Sequence, residues 1–324
     1  MTIKYEIINA DKQRRNPILK ILCIISLVFG IWLDFIIYYN QETISAAYVP
    51  FLIMSGLLSR YLITNIIVSG LVASLVYIAS VDHFGLEIFI LRWAGYFLIS
   101  FVIWILLKNN QKDKENIINM TIAMATSLDA RDNYTAFHSE NVAYYSHEIG
   151  KAMSLSKKQC DHLYLGGLLH DIGKIGISEN ILNKTTKLTS EEYEQIKKHP
   201  QMGYDMLKHV AYFKKNSILE MVLHHHERFD GTGYPHGLIG ENIPLVARIM
   251  AVADAFDAMT SKRIYRDPKD IENALNQLSL GKRSQFDPEI ADVFLELVKN
   301  KKIAIPGING DSKTINVLKK IGTS

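Results

Sequence analysis

The stretch His170-Asp171-Ile172-Gly173-Lys174 decides how this chain is read. A His followed at once by an Asp sets a nitrogen donor and an oxygen donor on neighbouring residues. Adjacent side chains on a helix diverge by about 100°. Such a pair suits a bridge between two cations better than chelation of one. The apolar run 163–169 precedes it, so the pair is predicted at the end of a buried helix that Gly173 stops. Taken alone, a His-Asp pair is as readily a plain polar helix end. The rest of the chain shifts that balance, because it supplies His138, His199, His225, His226 and Asp254, each inside its own short motif.

Outside that stretch the chain has two unlike parts. Of its 324 residues, 17–107 are almost continuously apolar, and 108–324 have the composition of an ordinary soluble domain. The net charge of +3 is too small for a nucleic-acid footprint unless it is clustered, so no DNA or RNA duplex is expected as a partner. Cys23 and Cys160 lie in different parts, which leaves neither a disulfide framework nor a thiolate metal site to read. The first apolar run is too long for a cleavable signal peptide and lacks a small-residue cleavage site.

Four membrane helices are predicted, over 18–38, 44–59, 62–81 and 88–107. A span needs about 20 apolar residues; the second stretch is short, and a three-span count stays open. Lys4, Lys12, Arg14 and Arg15 precede the first span and Lys20 stands at its start, Arg60 separates the second from the third, and Lys108, Lys112 and Lys114 follow the fourth. The other two loops hold Glu42, and Asp82, His83 and Glu87, without Lys or Arg. By the positive-inside rule both termini are cytoplasmic. Asp34 and Arg92 fall within the spans, as a charge pair, as part of a ligand cavity, or, for Asp34, as a solvated span end.

Beyond residue 107 the pattern is helix after helix, up to a stretch of about 25 residues at the end that holds no clear pattern. Ile117, Met120, Met124 and Leu128 recur at helical spacing, which continues the linker as a helix. Helices are predicted over 133–153, 156–170, 189–199, 216–228, 244–260, 270–280 and 287–299. Thr189 to Glu192 reads as a capping box, and Asp287-Pro288 as an N-cap with Pro at the first helical position. Residues 230–235 form a turn-rich loop in which Gly231 and Gly233 supply unusual backbone angles. No stretch alternates as a strand does. The fold class is therefore all-α: a transmembrane bundle over 1–107, a cytoplasmic helical linker over 108–119, a helical domain over 120–300 and a tail over 301–324.

His138, His170, Asp171, His199, His225, His226 and Asp254 all fall on predicted helices or helix ends. A helical domain can aim such side chains into one interior. A His and Asp set without cysteine suits borderline or hard divalent cations such as iron or manganese. The adjacent pairs His170-Asp171 and His225-His226 suggest two metals sharing ligands, an arrangement suited to phosphate-ester hydrolysis.

His170 to Lys174, His199-Pro200, the run from His225 through Asp230-Gly231-Thr232-Gly233-Tyr234-Pro235, and the run from Asp254 to Thr260 together resemble the HD-GYP family, a branch of the HD phosphohydrolases. The resemblance covers about 120–298 and includes Gly240 to Leu245 and Phe286-Asp287-Pro288. The apolar part resembles, by hydropathy alone, the multi-span sensor regions of bacterial cyclic-dinucleotide enzymes. The family resemblance implies hydrolysis of cyclic di-GMP, mainly to linear pGpG, by a hydroxide that two divalent metals activate. It implies His138, His170, Asp171, His199, His225, His226 and Asp254 as metal ligands, with Asp171 bridging. Lys174 would stand beside the hydroxide and the scissile phosphate, Arg263 and Arg266 would hold substrate phosphates, and Tyr234 would contact substrate or a partner. The location implied is a bacterial inner membrane; a homodimer and a diguanylate cyclase or other signalling partner stay open.

Two positions depart from the family pattern. Tyr134 stands where three-metal relatives carry Glu, which argues for two metals, and Asn141 stands where Arg is frequent. His147, His162, His209, His224 and His236 match no family role and are read as structural or solvated. The rival readings are an HD hydrolase of another nucleotide and a non-catalytic receptor for a cyclic dinucleotide or a protein. The charge pattern also sets a test of topology. Reporter fusions after residue 20 and after residue 115 should both report the cytoplasm; an external signal at either point contradicts the predicted orientation.

Overall fold

The computed structural model describes residues 17–38, 45–80, 85–131, 137–261, 271–303 and 305. The chain divides into two compact units, 1–117 and 118–324. Among the described residues every regular element is a helix, and β-type pairing is limited to isolated bridges, Asp230 with Ile239 and Lys282 with Phe286.

The first unit holds α1 (Pro17–Tyr38), a 3-10 turn (Ser45–Tyr48), α2 (Val49–Leu58), α3 (Leu62–Ala79) and the start of α4 (Leu86–Arg131). Its buried cluster includes Tyr48, Leu52, Val72, Val76 and Tyr96. Small residues let these helices approach closely. A Cβ on Gly30 would lie 3.1 Å from the Tyr48 ring, and one on Gly56 2.6 Å from the Ser100 carbonyl oxygen. Trp93 donates to Ser69 Oγ at 3.1 Å. The outer surface is apolar, with Ile24, Val28, Ile63, Leu71, Leu91 and Leu98 all exposed.

Two helices, Leu62–Ala79 and Leu86–Asp129, are long and apolar enough to cross a membrane. The described apolar stretches Ile18–Leu33 and Ala46–Leu58 are shorter. The sequence predicts four spans, so the count differs. Helix α2 has 10 residues, a rise of about 15 Å, half of a hydrocarbon core about 30 Å thick. Arg92 is partly buried on α4, and the Asp34 side chain lies outside the described residues.

In the second unit, α5 (His138–Ala152) and α6 (Lys157–Leu169) form an antiparallel hairpin. The start of α6 is set by a capping box: Ser156 Oγ accepts from the Gln159 N–H, and Gln159 Oε1 accepts from the Ser156 N–H. The helices touch through glycine. A Cβ on Gly167 would lie 2.4 Å from Ala143 Cα, so any larger residue would push the pair apart. The hairpin brings His138, the first residue of α5, to the same end as His170, which follows the last residue of α6.

The chain then tightens into a 3-10 turn, Ile172–Gly176. Gly173 does not stop the helix, as the sequence predicts; α6 already ends at Leu169 and Gly173 lies inside this turn. Its lack of a side chain serves a close contact instead, since a Cβ there would lie 1.9 Å from the His199 carbonyl oxygen. After the short α7 (Glu179–Leu182), the predicted helix over 189–199 proves to be two. Helix α8 (Ser190–Ile196) is capped by Thr189 and Glu192, and α9 (His199–Leu207) starts afresh with Pro200 in its first turn. Proline is tolerated there because that N–H has no intrahelical partner to lose.

Short α10 (Ala211–Lys214) leads to α11 (Ile218–His224), which ends earlier than the predicted 228. Helix α12 (Leu245–Thr260) packs on α5, and α13 (Ile271–Leu280) and α14 (Pro288–Lys299) close the unit. Tyr145 of α5, Phe256 of α12 and Phe294 of α14 meet with ring centroids 4.8–5.9 Å apart. Asp287 caps α14 by accepting from the Glu289 N–H at 2.9 Å.

Because the Gly173 contact joins the 3-10 turn to α9, Gly173→Ala should destabilise the fold by about 1–3 kcal/mol, as overpacking generally does. A lowered melting temperature of the full-length protein is the expected reading. An unchanged melting temperature contradicts the contact.

Candidate metal centre

Three histidines at helix ends share one device. His170 Nδ1 lies 2.7 Å from the Gly167 carbonyl oxygen, His199 Nδ1 2.7 Å from that of Ile196, and His225 Nδ1 2.9 Å from that of Val222. A carbonyl only accepts, so each Nδ1 carries the proton and each Nε2 keeps a lone pair. The His199 and His225 Nε2 atoms face each other at 3.1 Å. His170 Nε2 is buried with no hydrogen-bond partner. Lone pairs turned towards one another repel unless a cation lies among them. His138 is held in the same sense by a carboxylate, its Nδ1 lying 2.7 Å from Asp257 Oδ2.

Asp171 stands between these nitrogens. Its Oδ2 is 3.3 Å from His170 Nε2 and 3.7 Å from His138 Nε2. Its Oδ1 is 3.2 Å from His199 Nε2 and 3.9 Å from His225 Nε2. Asp254 Oδ1 joins the first set, 3.4 Å from His138 Nε2 and 4.0 Å from His170 Nε2. His226 joins the second, its donor within 4.8 Å of those of Asp171, His199 and His225. Ligands about 2.1 Å from one cation stand roughly 3.0–3.5 Å apart. The donors therefore fall into two groups that could hold metal, one at each oxygen of Asp171. His170 and Asp171 converge on one of these places, although helical neighbours would diverge. They converge because the backbone leaves the α conformation between them, from φ −52° and ψ −38° at His170 to φ −94° and ψ 4° at Asp171.

The electrostatics agree with that geometry. Burial opposes ionisation of Asp171, but Lys174 and then His170 hold its carboxyl well below the usual range. Burial, then His170 and His199, push His225 down to about 3, which keeps it a neutral donor. Burial would also lower His138, yet the carboxylates of Asp171 and Asp257 outweigh that and raise it to about 10. At such a nitrogen a proton and a metal ion compete for one lone pair.

The structure thus brings together His138, His170, Asp171, His199, His225, His226 and Asp254. Lys174 Nζ lies 2.6 Å from Asp171 Oδ2, and its side chain is 21% exposed. The Tyr234 ring stacks on His226, centroids 4.8 Å apart. Arg263, Arg266 and Tyr134 lie outside the described residues.

The supporting carboxylate, Asp257, was not singled out from the sequence. Besides His138 it accepts from Asn141 Nδ2 at 2.8 Å and from Ser261 Oγ at 3.0 Å. Asn141, where the family pattern has Arg, orients this carboxylate. The signal was the spacing: Asp257 follows Asp254 by one helical turn and so shares its face of α12. Asp129, near the end of α4, is a further unforeseen neighbour; it accepts from Ser139 Oγ at 2.6 Å.

The loop after His226 is built on two glycines with different tasks. Gly231 takes φ +80°. Gly233 takes no such angle; it is small because a Cβ there would lie 2.3 Å from the Arg228 amide nitrogen. Asp230 Oδ1 accepts from the Thr232 N–H and hydroxyl at 3.0 and 2.6 Å, which closes the turn. Of the histidines without a family role, His147 pairs with Glu148 at 3.0 Å, burial lowers His162 to about 4, and His209 is exposed. His224 and His236 stand together with Glu227.

If Asp257 fixes His138, then Asp257→Ala should weaken metal binding by about 10–100-fold, the usual loss for an outer-shell partner. Competition with a chelator of known strength measures this. An unchanged affinity would show that His138 needs no such support.

Comparison with known proteins follows the same residues. The chain matches the HD domain family over residues 114–290. It is 40% identical over 174 residues to a cyclic di-GMP phosphodiesterase of Thermotoga maritima, covering 52% of this chain and 46% of that protein. It is 37% identical over 176 residues to a cyclic di-GMP phosphodiesterase response regulator of Xanthomonas campestris, covering 53% and 46%. It is 33% identical over 186 residues to a 3'3'-cGAMP-specific phosphodiesterase of Vibrio cholerae, covering 57% and 35%. The chain covers less than half the length of each of these relatives. With more than half of its residues matched, including all seven gathered here, the chain belongs to the HD domain family.

Proposed function

We propose that this protein is a membrane-bound phosphodiesterase that opens cyclic di-GMP, mainly to linear pGpG. The observation that carries this reading is the pair of donor sets on the two oxygens of Asp171. The names of the relatives support the substrate. When bound, two divalent cations, iron or manganese by the donor chemistry, supply the Lewis acid that ionises water and offsets charge at phosphorus. Asp171 keeps both cation positions in register through one rigid carboxylate. The three carbonyl-locked imidazoles turn Nε2 towards Asp171 without rearrangement, and a cation at His138 would displace the proton held there. Lys174 places a positive charge and a proton beside Asp171, where a phosphate oxygen and the leaving ribose oxygen would lie. Tyr234, stacked on His226, offers an aromatic face to a guanine base, and Arg263 and Arg266 hold the phosphate that does not react.

The four apolar stretches of the first unit anchor the protein in the bacterial inner membrane, with both termini and the HD domain cytoplasmic. Their exposed Ile, Leu and Val side chains support this placement, as does the run of basic residues after 107. A second substrate reading has one observation in its favour: three of the relatives are named as specific for 3'3'-cGAMP.

A product time course on the full-length protein separates these readings. Tyr134 replaces the Glu that would hold a third cation, and a phenol with pKa about 10 is a weak ligand at neutral pH. Linear pGpG is expected to accumulate, with GMP late or absent. GMP appearing as fast as pGpG, with three metals per chain, contradicts the two-metal reading. A higher kcat/KM for 3'3'-cGAMP than for cyclic di-GMP would favour the second substrate.

A further inference from the structure

We propose that His224, Glu227 and His236 form a second, separate cation site that takes one zinc-like divalent ion and ties the Gly-Tyr-Pro loop to the end of α11. The donor atoms of the three residues lie within 4.8 Å of one another. None of them belongs to the seven-residue cluster. His224 precedes His225 directly, but its ring meets His236, centroids 5.2 Å apart, while the His225 ring meets His170 and His199.

Two groups at this place keep ligand capacity that the protein does not use, a buried His224 nitrogen and the buried Glu227 carboxylate. His224 Nδ1 is buried and makes no hydrogen bond. It stands 3.7 Å from Glu227 Oε1, too far for a hydrogen bond. That separation is close to the roughly 3.4 Å between two ligands of one tetrahedral cation. Glu227 is 2% exposed, and its oxygens accept only from neutral backbone groups, the His236 N–H at 2.8 Å and the Leu238 N–H at 3.0 Å. A buried carboxylate is normally paired with a cation or coordinated to a metal. Among the described residues its ion-pair partner within 4.0 Å is His224 alone. Each oxygen keeps a lone pair after its backbone bond.

Two imidazoles and one carboxylate are a zinc-type donor set that leaves a fourth position for water. His236 is exposed, which gives an ion a way in. Occupancy would add a bond between α11 and the segment that Glu227 already grips. Tyr234 lies two residues from His236, against His226, so the ion would restrain the face of the main cluster that Tyr234 covers.

The test uses the full-length protein carrying its resident metals. Zinc chloride is added, unbound ion is removed, and zinc and resident metals are counted by elemental analysis for wild type and His236→Ala. Wild type is expected to hold one zinc per chain more than the variant, at equal resident-metal content and equal basal turnover. In titration the variant should bind that zinc at least about tenfold more weakly. His236→Cys, which restores a metal ligand at an exposed position, should recover the uptake. Equal uptake and affinity in wild type and His236→Ala would overturn the site. Uptake lost in His236→Ala and not recovered in His236→Cys would likewise show that position 236 is not a ligand.

Discussion

The second unit depends on one carboxylate with its two oxygens turned towards two groups of imidazole nitrogens. Asp171 is buried, and a buried charge is tolerated only when it is paired. Its neighbours are nitrogens whose protons have been committed elsewhere. The Gly167, Ile196 and Val222 carbonyls each hold the Nδ1 proton of the histidine three residues on. Those carbonyls are free because each histidine stands at or beside a helix end, where the backbone has groups to spare. The helix ends thus do two tasks at once. They terminate the elements, and they select the tautomer that leaves every Nε2 pointing at Asp171.

Packing then delivers these ends to one place. The α5–α6 hairpin closes because Gly167 has no side chain to meet Ala143, and Gly173 lets the turn after Asp171 touch the first residue of α9. The loop carrying Tyr234 folds back over His226 because Gly233 leaves room and Glu227 grips the amides of His236 and Leu238. Glycines here mark contacts between backbones more than turns.

The part of this site legible in the sequence was its chemistry. Hard and borderline donors without cysteine point to a metal site whatever the fold, and the structure gathers them. The helical class was equally legible, from the periodicity and from caps such as Thr189 with Glu192 and Asp287 with Pro288. Three-dimensional reasons for particular residues were not. Gly173 reads as a helix stop in one dimension and proves to be a contact in three. Pro200 reads as the end of a helix and proves to sit in the first turn of the next, because proline suits either boundary. Asp257 and Asn141 act through His138, and no local pattern announces a residue that works on another across helices. The count of helices long enough to cross a membrane depends on where short apolar elements such as Val49–Leu58 begin and end, which composition does not define.

The central claim is that Asp171 joins two cation positions in one site. Its most direct test is the metal content of the full-length protein and of Asp171→Ala, measured on samples of equal helicity by circular dichroism. Two metals per chain in the wild type, with both lost together in the variant, is the expected result. Two metals retained by Asp171→Ala would contradict the account, because the histidines would then hold the cations without the carboxylate between them.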